Sequence, residues 1–355
     1  MNLTAQQIFD EYGQQAGLIA LKGNATAGVE VISPYEKSRE GSLAFAPDQK
    51  ALNQVLKQSV SVVVIPKQLA DAAEKAAPAS VAILVSANVG YSHARIKQRY
   101  GDHDYSRSGW GRIHPSAIVH ESVTIPESTT LGPNVVIEQG ATIGEECSIM
   151  AGVVIEHDAV IGNRVRIHPN TTIGWECVIG DDCLILSNTV IGSEGFGYAQ
   201  DQYFNHHRIP QTGNVVIGNK VTIGANNTID RGTYGPTTIG NGCIFDNMCH
   251  VAHNVTMGEN CIIISGFLGG GSSTLGNRVV ASGSAMIKDH VRICDDVYLM
   301  HRAGVPKDIT QPGMYAGSPV LPMKDYVISN AIYSRLGELR QQVKELAKAM
   351  MGKSL

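Results

Sequence analysis

The sequence predicts a mainly β chain: a left-handed parallel β-helix, with a small α/β domain before it and an α-helical extension after it. Three features carry that reading: a six-residue apolar repeat, a leading segment that does not follow it, and a trailing seam at helical spacing. From Ile113 to Ile191 every sixth residue is aliphatic, fourteen positions without a gap. The phase returns at Ile217, Ile223 and Ile229, and again from Ile239 to Ile263. Beyond Gly269 it runs from Leu275 to Val305. A period of six fits neither a helix nor simple strand alternation. It fits a solenoid in which each hexad is a short strand plus a turn, and three hexads close a triangular coil of about 18 residues.

The other hexad positions agree. Four residues after each apolar position stands a second core candidate, as at Ala117, Thr129, Ala141, Val153 and Thr171. Six of the seven cysteines (147, 177, 183, 243, 249 and 261) fill that slot, where a free cysteine packs as a small hydrophobe. The odd count and the lack of a C-x-x-C pair argue against a disulfide framework. Glycine often follows the apolar residue, as in Ile161-Gly162 and Ile179-Gly180, which suits a corner. About ten coils at the strand spacing give a prism about 45–50 Å long.

Residues 1–105 lie outside the repeat and read as the α/β domain. Strands are expected at 60–65 and 81–85, with an Ala-rich helix at 67–77 between them. Residues 98–112 read as a linker, 106–320 as the β-helix and 321–355 as the helical extension. In the last, Ile328, Ile332, Leu336, Leu339, Val343, Leu346 and Met350 form a seam spaced by three or four. This seam suits a three-helix association or a helix lying on its own prism. Insertions at 195–213 and 231–238 interrupt the coils, and loops on a rigid scaffold often carry function.

The net charge of −4 argues against a nucleic-acid partner. Residues 1–10 lack a basic start and an apolar run. No stretch approaches the ~20 apolar residues of a membrane helix. A cytoplasmic chain without stable membrane insertion is expected.

Chemistry points to histidine, which titrates near neutrality and serves as general base. Of the twelve, His114 and His168 sit in Ile-His-Pro corners and read as structural. His120, His157 and His301 are expected to face solvent. His253, Gly271 and His290 differ: Gly271 follows His253 by 18 residues and His290 follows by 37. Stacked coils would bring a base, a bare backbone N–H and a second imidazole to one wall. Acyl transfer to an amine needs such a set, with a base for the attacking nitrogen and a donor for the oxyanion. A zinc site would need a third histidine, and Asp295 stands where it would fall.

Several runs carry a family resemblance: Gly195-Phe196-Gly197-Tyr198-Ala199, Ile209-Pro210-Gln211, Thr228-Ile229-Asp230-Arg231-Gly232, Asp246-Asn247 and Ala252-His253-Asn254. In order and spacing they resemble the UDP-3-O-(3-hydroxyacyl)glucosamine N-acyltransferases of lipid A biosynthesis, over nearly the whole chain. The O-acyltransferases of that pathway begin directly with hexads, so the leading domain disfavours them. The resemblance implies an enzyme with no resident cofactor, whose donor is a 3-hydroxyacyl thioester on the 4'-phosphopantetheine of acyl carrier protein. The acceptor is UDP-3-O-(3-hydroxyacyl)-α-D-glucosamine. Hexapeptide-repeat enzymes commonly trimerise, so a homotrimer with its groove between subunits is expected. His253 matches the base, Gly271 the oxyanion donor and His290 the second histidine. Asp246, in the Asp246-Asn247 motif, matches an acid near the base. Lys307 matches a basic residue for the phosphopantetheine phosphate. In the nucleotide domain Phe45 matches a ring that stacks on uracil. Asp48 replaces an amide and Ala51 a second ring, which should weaken uridine binding. Gly304 and Pro306 replace bulkier residues and suggest a longer acyl chain. An acetyl-CoA-dependent N-acetyltransferase and a non-enzymatic scaffold are the alternative readings.

Overall fold

The computed structural model describes residues 2–104, 109–317 and 323–351. The chain divides into two compact units, Met1–Tyr105 and Ser106–Leu355.

In the first unit the order is α1 (Ala5–Tyr12), β1 (Leu18–Gly23), β2 (Val31–Ile32), β3 (Ser42–Phe45), α2 (Gln49–Leu56), β4 (Val62–Pro66), α3 (Ala70–Ala76), β5 (Ala82–Ser86) and α4 (Val89–Tyr100). The five strands form one sheet, β1-β5-β4-β3-β2, antiparallel only between β1 and β5. Both faces of the sheet are covered, so β4 and β5 are buried along their whole length. Val62, Val64 and Leu84 pack with Ile8 of α1 and Ile96 of α4. Val63, Ile65 and Ile83 pack with Leu52 of α2 and Ala73 of α3. The helix expected at 67–77 is a 3-10 turn, Lys67–Leu69, followed by α3. The linker expected from 98 starts later, because α4 runs on to Tyr100, whose ring packs edge-on against Tyr12. Residues 105–108 of that linker lie outside the described residues.

The second unit is a left-handed parallel β-helix whose described residues form three sheets of ten, eight and ten strands. Face A holds the strands from Ile118–Val119 to Gly304–Val305, and face B those from Thr142–Ile143 to Arg292–Ile293. Face C runs from Thr130–Leu131 to Gly313–Tyr315. Residues 18 apart pair, as in Ile137 with Ile155 and Ile161 with Ile179. The apolar hexad residues from Leu131 onward fill the core, and all six slot cysteines are buried with them. Burial pushes the Cys183 thiol up to about 11 and raises Cys147, Cys177 and Cys249 as well.

The corners use two residues for two different needs. The third residue after the apolar position adopts left-handed φ, as at Asn134, Asp158, Asn170 and Asn188 (57–61°). Asn and Asp tolerate that conformation better than most residues. The glycine directly after the apolar residue serves close approach instead. A Cβ on Gly144 would stand 2.4 Å from the Gly162 carbonyl oxygen, and one on Gly240 would stand 2.6 Å from that of Gly258.

Two helices follow, α5 (Met323–Ser334) and α6 (Leu336–Met351). The seam from Ile328 to Met350 is exposed throughout. The domain start expected at 321 lies outside the described residues.

Because deprotonation and access both govern thiol reactivity, the six slot cysteines should resist a thiol reagent in the native protein. Titration with such a reagent should find at most one rapid thiol, the half-buried Cys294. The other six should react only after denaturation; several fast native thiols would contradict the packing.

Candidate active site

The corner that leads from face A to face B gathers the site. His253 follows the strand His250–Val251, Gly271 follows Leu268–Gly269, and Asp289 and His290 follow Met286–Ile287. Lys307 follows Gly304–Val305. Register places His253, Gly271, Asp289 and Lys307 in one column. His290 stands one column over, with Asn254 and Ser272; all three have φ of 58–59°.

His253 lies directly on Gly271. A Cβ at residue 271 would come within 2.8 Å of both Cε1 and Nε2 of the imidazole. The Gly271 carbonyl accepts from the His290 N–H at 2.9 Å, while its own N–H donates to no acceptor among the described residues. The other edge of the ring is tied down: His253 Nδ1 is 3.2 Å from Asn254 Oδ1. That oxygen also accepts from the Thr233 N–H and hydroxyl, which identifies it as the amide oxygen. An oxygen can only accept, so Nδ1 carries the proton and Nε2, over Gly271, keeps its lone pair.

Both insertions leave the prism at this corner. Arg231 anchors them from a fully buried position. Its guanidinium donates to the carbonyls of Gly192 (2.8 Å), Gly213 (3.0 Å) and Trp175 (2.9 Å) and lies 3.5 Å over the Trp175 ring. Held at both ends, the longer insertion brings Gly195 onto His253, where a Cβ would meet the histidine's own Cβ at 2.5 Å. Its hairpin, Tyr198–Gln200 with His206–Arg208, exposes Phe196, Tyr203 and Phe204.

Behind the corner lies a carboxylate that sequence reasoning left without a role. Asp230 is 5% exposed. Its Oδ1 accepts from the Ser193 hydroxyl at 2.7 Å, and its Oδ2 lies 3.6 Å from His250 Nε2. Burial pushes its carboxyl above the usual range, opposed by Ser193, His250 and His253. Beside it on face A runs an apolar groove of about 580 Å3, lined by His250, Ala252, Leu268, Gly270, Met286 and Gly304 among others, and ending at Pro306.

Comparison with known proteins places this corner in a family. Residues 113–196 match the GMPPB C-terminal domain family. The UDP-3-O-acylglucosamine N-acyltransferase of Methylococcus capsulatus (strain Bath) is 43% identical over 350 residues, covering 99% of this chain and 98% of that protein. The chain belongs to the UDP-3-O-acylglucosamine N-acyltransferase family. The Bordetella avium member of the family is 38% identical over 161 residues, covering 44% of this chain and 45% of its own. An Arabidopsis UDP-N-acetylglucosamine acyltransferase structure shares the fold, with a TM-score of 0.51 and 22% identity over 58% of this chain and 71% of its own.

Asp246, expected near the base, and its motif neighbour Asn247 stand elsewhere in the single chain. Asp246 and Asn247 occupy the corner from face C to face A. There Asp246 Oδ2 accepts from the Ser265 N–H at 3.3 Å and Asn247 Oδ1 from the Ala225 N–H at 2.7 Å. The phase of the repeat decides this: they follow Phe245, one hexad before Val251. Lys307 is exposed two coils beyond Gly271.

In the first unit a cavity of about 400 Å3 is lined by Phe45, Tyr35, His93, Pro47 and Lys97 among others. Phe45 stacks on His93 at 4.3 Å between ring centroids, and burial lowers the His93 pKa, favouring the neutral ring. Asp48 is no lining residue. It caps α2, accepting from the Ala51 N–H at 2.8 Å, and Ala51 is buried in the core. Beside Phe45 the cavity has two further rings, Tyr35 and His93, which no local motif announced.

Among the described residues no group of three or more His, Cys, Asp or Glu side chains could hold a metal. No helix there is long and apolar enough to cross a membrane.

Asp230 supports a prediction with a definite sign. A carboxyl whose folded pKa is raised ionises first in the unfolded chain. Stability therefore falls as pH rises from the ordinary carboxylate range through the raised value. Asp230→Asn removes that penalty and keeps an acceptor for Ser193. Its melting temperature at pH 8 should exceed wild type by about 2–4 °C, and the difference should vanish towards pH 4. A lower melting temperature at pH 8 would contradict the assignment.

Proposed function

We propose that the chain transfers a 3-hydroxyacyl group from the phosphopantetheine thioester of acyl carrier protein to the 2-amine of UDP-3-O-(3-hydroxyacyl)-α-D-glucosamine, in lipid A biosynthesis. Family membership supports the N-acyl transfer and the UDP-sugar class. The observation that carries the chemistry is the placement of His253, with Nδ1 on an amide oxygen and Nε2 over an unspent backbone N–H.

Nε2 takes a proton from the amine as its nitrogen bonds to the thioester carbon. The carbonyl pair moves to oxygen, and the Gly271 N–H stabilises that oxyanion. When the oxyanion collapses, the C–S bond breaks and His253 returns the proton to the departing sulfur. No covalent enzyme intermediate is needed, because both substrates are bound together. His290, one coil beyond Gly271, assists at the acceptor or the tetrahedral centre. The face A groove takes the acyl chain; Gly304 and Pro306 at its far end leave room for a long one. Lys307 faces the phosphopantetheine phosphate, and the Phe45 cavity takes the uracil.

The assembly in this reading is a homotrimer in the cytoplasm, with the groove between subunits. Asp246 and Asn247, being on another corner, then serve a neighbour's His253 rather than their own.

Two substitutions test the reading with purified acyl carrier protein and acceptor. His253→Ala should keep the oligomer, seen by light scattering, while turnover falls by about 10²–10⁴-fold. Retained turnover would reject the base. Gly271→Ala should also abolish turnover without unfolding, since its methyl displaces the imidazole. Acetyl-CoA should not replace the long-chain donor; efficient use of it would favour an acetyltransferase instead.

A further inference from the structure

The acyl groove is apolar along most of its length, yet it begins at a histidine with a buried acid behind it. His250 pairs with Leu268 on the next coil, and Ala252, two residues on, lines the same groove, so His250 and Ala252 stand on the same outer face. Lys288 also lines the groove, but its long stem can carry the ammonium out to water. His250 has no such stem. Its side chain is 41% exposed, and Nε2 is directed to Asp230, which Ser193 holds from the other oxygen.

We propose that His250 reads the 3-hydroxyl of the incoming acyl chain and that Asp230 is its positioning residue. The proposal rests on the reading above, in which the thioester carbonyl sits at Gly271. The chain then enters the groove past Gly270 and Ala252. Same-face neighbours along a strand are about 7 Å apart. A hydroxyl on the third carbon and an imidazole two residues upstream span that gap between them. With Nε2 turned to the carboxylate, the Nδ1 edge is left for the hydroxyl. A wholly apolar groove would disfavour a hydroxylated chain, because burying the hydroxyl without a partner is costly. A groove with His250 at its head favours it.

The test compares kcat/KM for 3-hydroxyacyl and unsubstituted acyl carrier protein of equal chain length. Wild type should prefer the hydroxylated donor by about 10–100-fold, the value of one hydrogen bond to a polarised partner. His250→Leu should bring that ratio to within about threefold of unity, and His250→Gln, which retains a donor and an acceptor, should recover part of it. Asp230→Asn should lower the ratio while the KM for the acceptor stays constant, a split that general damage would not produce. Light scattering and thermal melts confirm that each variant is assembled. If His250→Leu is not folded, Asp230→Asn and His250→Gln decide alone. An unchanged ratio in the folded variants, or no preference in wild type, overturns the proposal. Failure of wild type with both donors sinks the functional reading itself.

Discussion

The N–H groups of each coil donate to the carbonyls of the next, as from Gly144 to Ile161 and from Gly162 to Ile179. This ladder fixes what lies over what. In a prism whose residues repeat at 18, a side chain finds its spatial neighbours one coil away rather than beside it in sequence. His253 meets Gly271 for that reason, and Asp289 and Lys307 continue the same column. A one-residue slip would exchange inward and outward side chains along a face. The cost of exposing the isoleucine core therefore also guards the alignment of the site. The register can stretch where the chain leaves and returns at one corner. Ile179 pairs with Ile217 and Ile229 with Val251 despite the intervening loops.

Beside those loops lie two buried charged groups. Arg231 is a fully buried cation without a facing carboxylate, satisfied instead by three carbonyls and the face of Trp175. Asp230, its neighbour, is a buried acid satisfied by one hydroxyl and a histidine at longer range. A scaffold that needed stability alone would have little use for either. Each instead fixes something beside the base: Arg231 the loop that brings Gly195 onto the ring, Asp230 the orientation of His250.

The sequence disclosed what the repeat controls and little of what it does not. The fold, the core slots of the cysteines and the approach of His253 to Gly271 all follow from counting, because parallel coils convert spacing into position. Counting also places Asp246: seven residues before His253, it is one hexad and therefore one corner away within the chain. Asp230 and Asn254 stood in recognised motifs without a role, since their partners Ser193 and Thr233 are 37 and 21 residues away in sequence, one on a strand and one in an insertion. The first unit has no such period. There Asp48, next to a helix start, is better placed to accept the Ala51 N–H than to meet a ligand, as capping preferences would suggest. His93 joins Phe45 only through the packing of α4 on the sheet.

The nature of the partner on His253 matters to the chemistry. In the proposed reaction the base returns its proton to a departing thiolate, so it must be oriented without being bound too firmly to that proton. An amide on Nδ1 sets the tautomer and the plane of the ring and carries no charge. The nearby carboxylate, Asp230, lies within electrostatic reach of His253 but stands beside His250, 3.6 Å from its Nε2. Orientation and charge are thus divided between Asn254 and Asp230. The shorter insertion supplies Thr233, which holds the amide, while Ser193, on the strand that leads into the longer insertion, holds the acid. Both insertions also meet the same histidine: the shorter fixes Asn254 against His253 Nδ1, and the longer lays Gly195 on its Cβ.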